Sequence, residues 1–441
     1  MFIVETKHKY NDCKNMNKNQ STIFEPELRL KKLSLENFRG FDKLELTLQA
    51  DLTVLIGKNG SGKTAILDCI AKLLTDFENK IRAKGERKEL RNVFGSLDIK
   101  KGTEVSLNTL FLSFANQEFL WEALFGNQIH SILIKPRDLN QLNELIGRFD
   151  SQKEFNLPLM VYYPASNAPV NTIDFKNTSD DFDISVWTAY DKALDSNSFD
   201  FISFFNWYKW QENIEKQLGE NLVINVVRDA IYQILSFDNQ QFNQLSINWL
   251  QNPSGEIIIH KDEIPLNINQ LSSGEKTLLS LVADLARRLA IANPHRENPL
   301  LGNGVVLIDE VDLHLHPRWQ RAVIPQLQKT FPNCQFIVTT HSPLVLSQVS
   351  PQNVVILEDF KAVKNIPHTF GRDTNSLLYE LMGVTQRPEK MQQKLNKGYD
   401  LIDNGELEQA QAYFKKLSEL FLGANDPDIV HSETMINFMK D

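Results

Sequence analysis

The chain has 441 residues and a formal net charge of −9, with 42% hydrophobic and 23% charged residues. That balance is ordinary for a soluble globular protein of two or three domains, and it argues against a wholly basic nucleic-acid coat. Cys13, Cys69 and Cys334 are far apart and form no C-x-x-C, so neither a disulfide framework nor a zinc site is indicated and a reducing, cytoplasmic compartment is expected. No apolar run approaches the ~18 residues of a membrane span and the N-terminus lacks a signal-peptide core, so no membrane association is expected.

Residues 1–27 are polar, with Lys, Asn and Gln clustered at 14–20, and read as a flexible tail. Leu30, Leu33 and Leu35 mark a half-buried strand, Asn37-Phe38-Arg39-Gly40-Phe41 a turn, and Leu44, Leu46 and Leu48 a second strand. Residues 52–56 are a short apolar run suited to a buried strand. Gly57-Lys58-Asn59-Gly60-Ser61-Gly62-Lys63-Thr64 follows and fits G-x-x-x-x-G-K-[ST]; then Ile66, Leu67, Ile70, Leu73 and Leu74 recur at helical spacing. Strand, glycine loop and helix in that order are the context of a P-loop. The N–H groups of the loop and helix start point at an anion, and the glycines let the backbone approach it. The expected ligand is a nucleoside triphosphate, with Lys63 reaching the β- and γ-phosphates and the Thr64 hydroxyl on Mg²⁺.

Residues 78–104 are rich in charge, including Lys80, Arg82, Lys84, Arg87, Lys88 and Arg91, and read as a solvated helix and loop or as a strip for phosphate backbone. Residues 105–116 look like strand, 137–149 like a short amphipathic helix and 157–163 like a buried strand ending at Pro164. Aromatic residues crowd 187–210, which predicts a helical subdomain with an aromatic core; 222–235 continues as helix, and 245–259 reads as a hairpin around Asn252-Pro253-Ser254-Gly255.

A second set of motifs completes a triphosphate site. Residues 271–276, Leu-Ser-Ser-Gly-Glu-Lys, precede a strongly periodic helix, so Ser273 and Gly274 offer a hydroxyl, N–H groups and a positive dipole end to an anion. Residues 304–310, Gly-Val-Val-Leu-Ile-Asp-Glu, describe a buried strand with carboxylates at its C-terminal edge, where ligands bind in open α/β sheets. Asp309 is expected to hold Mg²⁺ and Glu310 to orient and polarise the attacking water. Residues 335–340 form another strand ending at His341, which can reach the γ-phosphate. His314-Leu315-His316 reads as structural or interfacial.

In the order GKNGSGKT, LSSGEK, VVLIDE and TTHSP the chain resembles the ABC-type ATPases, and the NFRGF turn resembles the branch containing SMC proteins, RecF and the overcoming-lysogenization-defect nucleases. The resemblance covers residues 28–360. It implies an α/β ABC-ATPase head, a mixed sheet flanked by helices, with an inserted helical lid and a C-terminal helical hairpin. The expected parts are a tail at 1–27, an N-terminal lobe with the P-loop at 28–165, a lid at 166–265, a C-terminal lobe at 266–360 and a helical region at 361–441. It further implies that ATP and Mg²⁺ are held by Gly57 to Thr64 and Asp309, that Glu310, His341 and Lys63 carry catalysis, and that Arg39 contacts nucleotide. Ser273 and Gly274 would act in trans, which makes a homodimer or higher homo-oligomer with ATP at its interface, and Asp312 matches the loop that signals across it. The family's glutamine between P-loop and signature has no assigned counterpart. No sustained heptads separate Thr64 from Leu271, which excludes a long-armed SMC. No D-x-D follows a strand after His341, so an intrinsic nuclease is not expected. This compact form is similar to the ATPases of the Septu anti-phage systems, which implies control of a separate HNH nuclease and nucleic acid as a further partner. A retron-associated ATPase, a repair ATPase of RecF type and a transporter's nucleotide-binding subunit are the alternative readings.

Overall fold

The computed structural model of the chain describes residues 23–82, 93–126, 129–134, 139–151, 154–165, 185–195, 201–237, 239–250, 254–363, 368–382 and 387–440. They belong to two compact units, one up to Gly371 and one from Arg372. In the first unit the strands are β1 (Leu28–Phe38), β2 (Phe41–Thr47), β3 (Leu52–Gly57), β4 (Val105–Phe114), β5 (Gln117–Gly126), β6 (Ile129–Ile134), β7 (Leu159–Tyr163), β8 (Phe242–Asn248), β9 (Glu256–Lys261), β10 (Ile264–Asn267), β11 (Gly304–Ile308), β12 (Cys334–Thr339), β13 (Val354–Glu358) and β14 (Lys361–Ala362). The helices are α1 (Lys63–Arg82), α2 (Leu139–Ser151), α3 (Phe201–Leu218), α4 (Leu222–Leu235), α5 (Ser273–Ala292), α6 (Pro317–Thr330) and the short α7 (Pro343–Leu346).

The site is organised by a six-stranded sheet of order β14-β13-β3-β12-β11-β7, parallel except for its β13–β14 edge. Every residue of β7, β11 and β12 is buried. Such strands are covered on both faces, which is why they read as unbroken apolar runs rather than alternating ones. Helix α1 packs Ile66, Leu67, Ile70, Leu73, Leu74 and Phe77 into the same core.

An antiparallel sheet of order β2-β1-β4-β5-β6 shares that core. On β1 the buried leucines run 28, 30, 33, 35, and the three-residue step coincides with a register shift between Leu30 and Lys32. One extra residue at the bulge keeps Leu33 on the buried face. Part of the expected tail is packed on the first unit: Phe24 is buried, bridges to Phe155 and meets Phe149 edge-on at 5.0 Å, and Glu25 pairs with Arg296 at 2.7 Å. The rest of that tail, residues 1–22, lies outside the described residues.

The insertion contains α3, α4 and a three-stranded antiparallel sheet of order β10-β9-β8. Phe201, Phe204, Phe205, Trp207 and Tyr208 are buried in it, the aromatic core expected from their spacing. The Tyr208 hydroxyl donates to the Leu245 carbonyl at 2.6 Å and accepts from Arg228 Nε at 2.8 Å, fastening helix to sheet. In the basic stretch, Arg82 is tied to Glu78 and Asp191, whereas Lys84, Arg87, Lys88 and Arg91 lie outside the described residues.

The second unit contains α8 (Thr374–Met382), α9 (Glu389–Asp403), α10 (Leu407–Leu417) and α11 (Pro427–Lys440). Leu395, Ile402, Ala410, Phe414, Leu417, Ile429 and Ile436 form its core. Gly398 lets α9 close on α10, because a Cβ there would sit 2.6 Å from the Phe414 ring. The expected hairpin thus gains a third helix. Asp426 and Asp428, at the start of α11, both pair with Arg387. Among the described residues no helix is long and apolar enough to cross a membrane.

Candidate nucleotide site

Parallel neighbours β3, β12 and β11 end on the same edge of the sheet, which brings Gly57, Thr339 to His341, and Asp309 with Glu310 together. The P-loop starts at Gly57, with φ +150°, and a Cβ there would lie 2.2 Å from the Leu357 carbonyl oxygen. Gly60 and Gly62 also have positive φ, 80° and 103°, so the loop follows a path that favours glycine at three positions. Lys63 opens α1 and is buried; its ammonium donates to the Gly57 carbonyl at 2.9 Å and the Lys58 carbonyl at 3.2 Å. Burial lowers its pKa, and Asp309, Glu310 and Asp312 pull it back up.

Asp309 is the hub. Its Oδ2 accepts from the Thr64 hydroxyl at 2.9 Å and its Oδ1 from the Thr339 hydroxyl at 2.6 Å. Thr339 in turn accepts from the Glu310 N–H at 2.7 Å. Glu310 is half-buried and has φ 51°, so its backbone is strained where its carboxylate leaves the strand. Asp312 accepts from the Thr340 hydroxyl and from the His341 N–H. Ser342 donates to Gln320 Oε1 at 2.7 Å, and Gln320 Nε2 donates to the Leu315 carbonyl at 2.9 Å. Thr339, Thr340 and Ser342 are thus all fastened to the segment after β11, while His341, half-buried at the strand end, joins it through its backbone N–H.

The other expected residues stand elsewhere. Ser272 caps α5 through a reciprocal pair with Glu275, whose carboxylate also holds Lys261 at 2.6 Å. Ser273 and Gly274 lie in the first turn, and Gly274 abuts the His314 carbonyl, 2.7 Å from where a Cβ would be. Among the described residues no hydrogen bond joins them to the P-loop of the same chain. Arg39, with φ 48°, donates to Asp68 Oδ2 at 2.7 Å and to Asp98 Oδ1 at 3.0 Å, and Tyr162 donates to the other Asp68 oxygen at 3.0 Å. Its guanidinium therefore braces the NFRG turn against α1. His316 caps α6 through Nδ1, and among the described residues no His, Cys, Asp or Glu group has a metal-binding arrangement of three.

Sequence reasoning missed Thr339, Thr340 and Gln320; paired hydroxyls at a strand end beside two acids were the available signal. It also missed a buried cluster on α5. Asp284 holds Arg287 and Arg288 at 2.7 Å each and accepts from the Tyr163 hydroxyl at 3.0 Å. Tyr163 is the last residue of β7, and its carbonyl takes the Asp309 N–H at 2.9 Å.

Two family descriptions match the chain: "AAA domain, putative AbiEii toxin, Type IV TA system" over residues 165–347 and "AAA domain" over residues 32–246. The retron Ec83 probable ATPase of Escherichia coli is 31% identical, across 82% of this chain and 77% of its own length. The retron Vc95 probable ATPase of Vibrio cholerae is 29% identical, across 82% of this chain and 80% of its own. The Septu protein PtuA of Bacillus thuringiensis is 24% identical, across 91% and 96%.

Proposed function

The chain belongs to the family that contains the retron probable ATPases and Septu protein PtuA, and from that premise we propose that it is the ATPase of an anti-phage defence system, governing a separate effector nuclease of HNH type by ATP-dependent closure of a homodimer. The observation that carries the ATPase reading is the shared carboxylate: Asp309 stands between the P-loop hydroxyl of Thr64 and the strand-end hydroxyl of Thr339. Thr64 and Asp309 offer the hard oxygen donors that Mg²⁺ takes, already 2.9 Å apart. When bound, the ion would supply charge neutralisation on the triphosphate.

The chain's own residues then have distinct tasks. Convergent N–H groups of residues 57–64 bind the phosphates, and Lys63 moves from the loop carbonyls onto the β- and γ-oxygens. Glu310 takes a proton from the water that attacks the γ-phosphorus, giving ADP and phosphate. His341 donates to the γ-phosphate. Ser273 and Gly274, which make no hydrogen bond to the P-loop of their own chain among the described residues, serve the triphosphate of a second copy. Arg39 reaches nucleotide only after leaving Asp68 and Asp98.

The test is Glu310→Gln. Hydrolysis should fall at least a hundredfold while ATP binding persists, and ATP should shift the variant to a dimer by light scattering. Unchanged hydrolysis would remove the role given to Glu310. A dimer that forms equally without ATP would remove the composite site. Co-expression with the product of a neighbouring reading frame, with and without the substitution, tests nuclease control.

A further inference from the structure

At the β13–β14 edge of the parallel sheet, Leu357 pairs with Ala362 and Glu358 with Lys361, leaving Asp359 and Phe360 as a two-residue connection. Their φ values are 47° and 60°. This is the tight hairpin geometry that Asn-Gly ordinarily supplies. Asp tolerates it, but a Phe at positive φ is strained and persists only where its surroundings hold it.

What holds the ring is the approach to the P-loop. A Cβ on Gly40 would lie 2.1 Å from the Phe360 ring, and one on Gly62 would lie 3.0 Å from it. Phe360 also meets Phe41 edge-on, with ring centroids 5.2 Å apart. Phe41 in turn presses on Gly62, 2.4 Å from where a Cβ would be. The same hairpin touches the start of the loop, because Leu357 pairs with Gly57 and its carbonyl fills the space beside that glycine. One short hairpin therefore holds the P-loop at Gly57 with a carbonyl and at Gly62 with a ring.

We propose that Phe360 is a positioning residue for nucleotide binding, a wedge against Gly40, Phe41 and Gly62 that keeps the P-loop in its anion-binding shape before a triphosphate arrives. This rests on the reading of residues 57–64 as the triphosphate cradle. The glycines that let the loop take its path also let it leave, and each alternative path scatters the N–H groups. A wedge that removes those alternatives lowers the ordering cost of binding. The ring touches backbone and another ring, not a reacting atom, so its effect falls on affinity and not on the chemical step.

The experiment measures ATP binding by titration calorimetry, kcat, KM and Tm for the full chain and four variants. Phe360→Ala is expected to weaken ATP binding and raise KM about tenfold with kcat within about twofold, the cost of one lost preorganising contact, and Phe360→Tyr to restore both. Phe360→Gly separates the wedge from the turn. Glycine adopts φ 60° without strain, so the turn forms more readily than with alanine and Tm lies at or above that of the alanine variant, yet affinity falls equally in both. Wild-type affinity in Phe360→Gly overturns the proposal, as does a kcat that falls in step with affinity. Lys63→Ala is the separate control: if it binds ATP like the parent, the cradle reading fails, whatever Phe360 does.

Discussion

Two of the charged centres buried in the first unit, those around Asp284 and Lys63, differ in what they leave available. Around Asp284 the carboxylate is fully partnered: its two oxygens take Arg287, Arg288 and the Tyr163 hydroxyl, and Arg288 also reaches the carbonyls of Ala189 and Asp191, although the buried Arg287 Nε has no partner among the described residues. Burial pushes the Asp284 carboxyl up, but Arg288 and Arg287 outweigh it and hold it below the usual carboxylate range. Around Lys63 the ammonium rests on carbonyl oxygens, glycines with positive φ surround it, and Glu310 is strained at the strand end. The first arrangement pairs its carboxylate with cations of its own helix, whereas the second has donors that a phosphate would serve better than carbonyls do. Buried charge by itself marks neither chemistry nor stability; the state of its partners does.

That contrast predicts opposite profiles for the two centres. Lys63→Ala should abolish ATP binding and lower hydrolysis by about three orders of magnitude, the scale of one lost charge contact on a transferring phosphoryl group, while melting at or above the parent temperature. Isothermal titration and calorimetric scans check both halves. Asp284→Ala should do the reverse. It leaves two buried guanidinium groups with no carboxylate between them and costs about 3–5 kcal/mol of stability, and protein that remains folded should still bind ATP. If Asp284→Ala lost ATP binding with an unchanged melting temperature, the centre would belong to the site.

Thr339→Val falls between these two. It removes the hydroxyl that joins Asp309 to the Glu310 backbone, a hydrogen bond to a charged group of about 1.5–3 kcal/mol. Hydrolysis should drop about ten- to a hundredfold and need more Mg²⁺, and Thr339→Ser should recover most of it. A variant with parental Mg²⁺ dependence would leave Thr339 a packing residue.

What could be read in the chain follows from the same physics. The backbone path of the P-loop and the strand-end positions of Asp309, Glu310 and His341 are legible because the motifs are local and dictate the path that places those side chains. The ion pairs of Arg39 are not, since its partners Asp68 and Asp98 are 29 and 59 residues away and nothing near the turn announces them. The Asp359-Phe360 turn is illegible for a different reason, because its strain is compensated by Gly40 and Gly62, which are remote in sequence. Helix α11 was within reach: Asp426 accepts the Asp428 N–H at 3.0 Å, with Pro427 as the first helical residue. Asp-Pro reads equally well as a loop, and only the buried Ile429 and Ile436 decide for helix.

The smallest expected effect lies on the P-loop helix itself and reports on burial without a full set of partners. Burial raises Glu78 to about 7, against the pull of Arg82 and with a push from Asp191. Asp76, two residues before it, is also lifted to about 7 by burial, with Lys80 opposing. A carboxyl whose folded pKa exceeds its unfolded value contributes stability that is complete below the unfolded pKa of about 4.3 and is lost as pH rises through about 7. The parent should therefore melt lower at pH 8 than at pH 5 on account of these groups. Glu78→Gln keeps the shape and removes one titration, so its melting temperature should be a few degrees above the parent's at pH 8 and close to it at pH 4. Asp76 keeps a residual slope in that variant, which Asp76→Asn should reduce further. An unchanged slope in the double variant would mean that Arg82 and Lys80 already hold both carboxylates ionised, and the P-loop helix would then resemble the Asp284 cluster, whose carboxyl is held low by neighbouring cations.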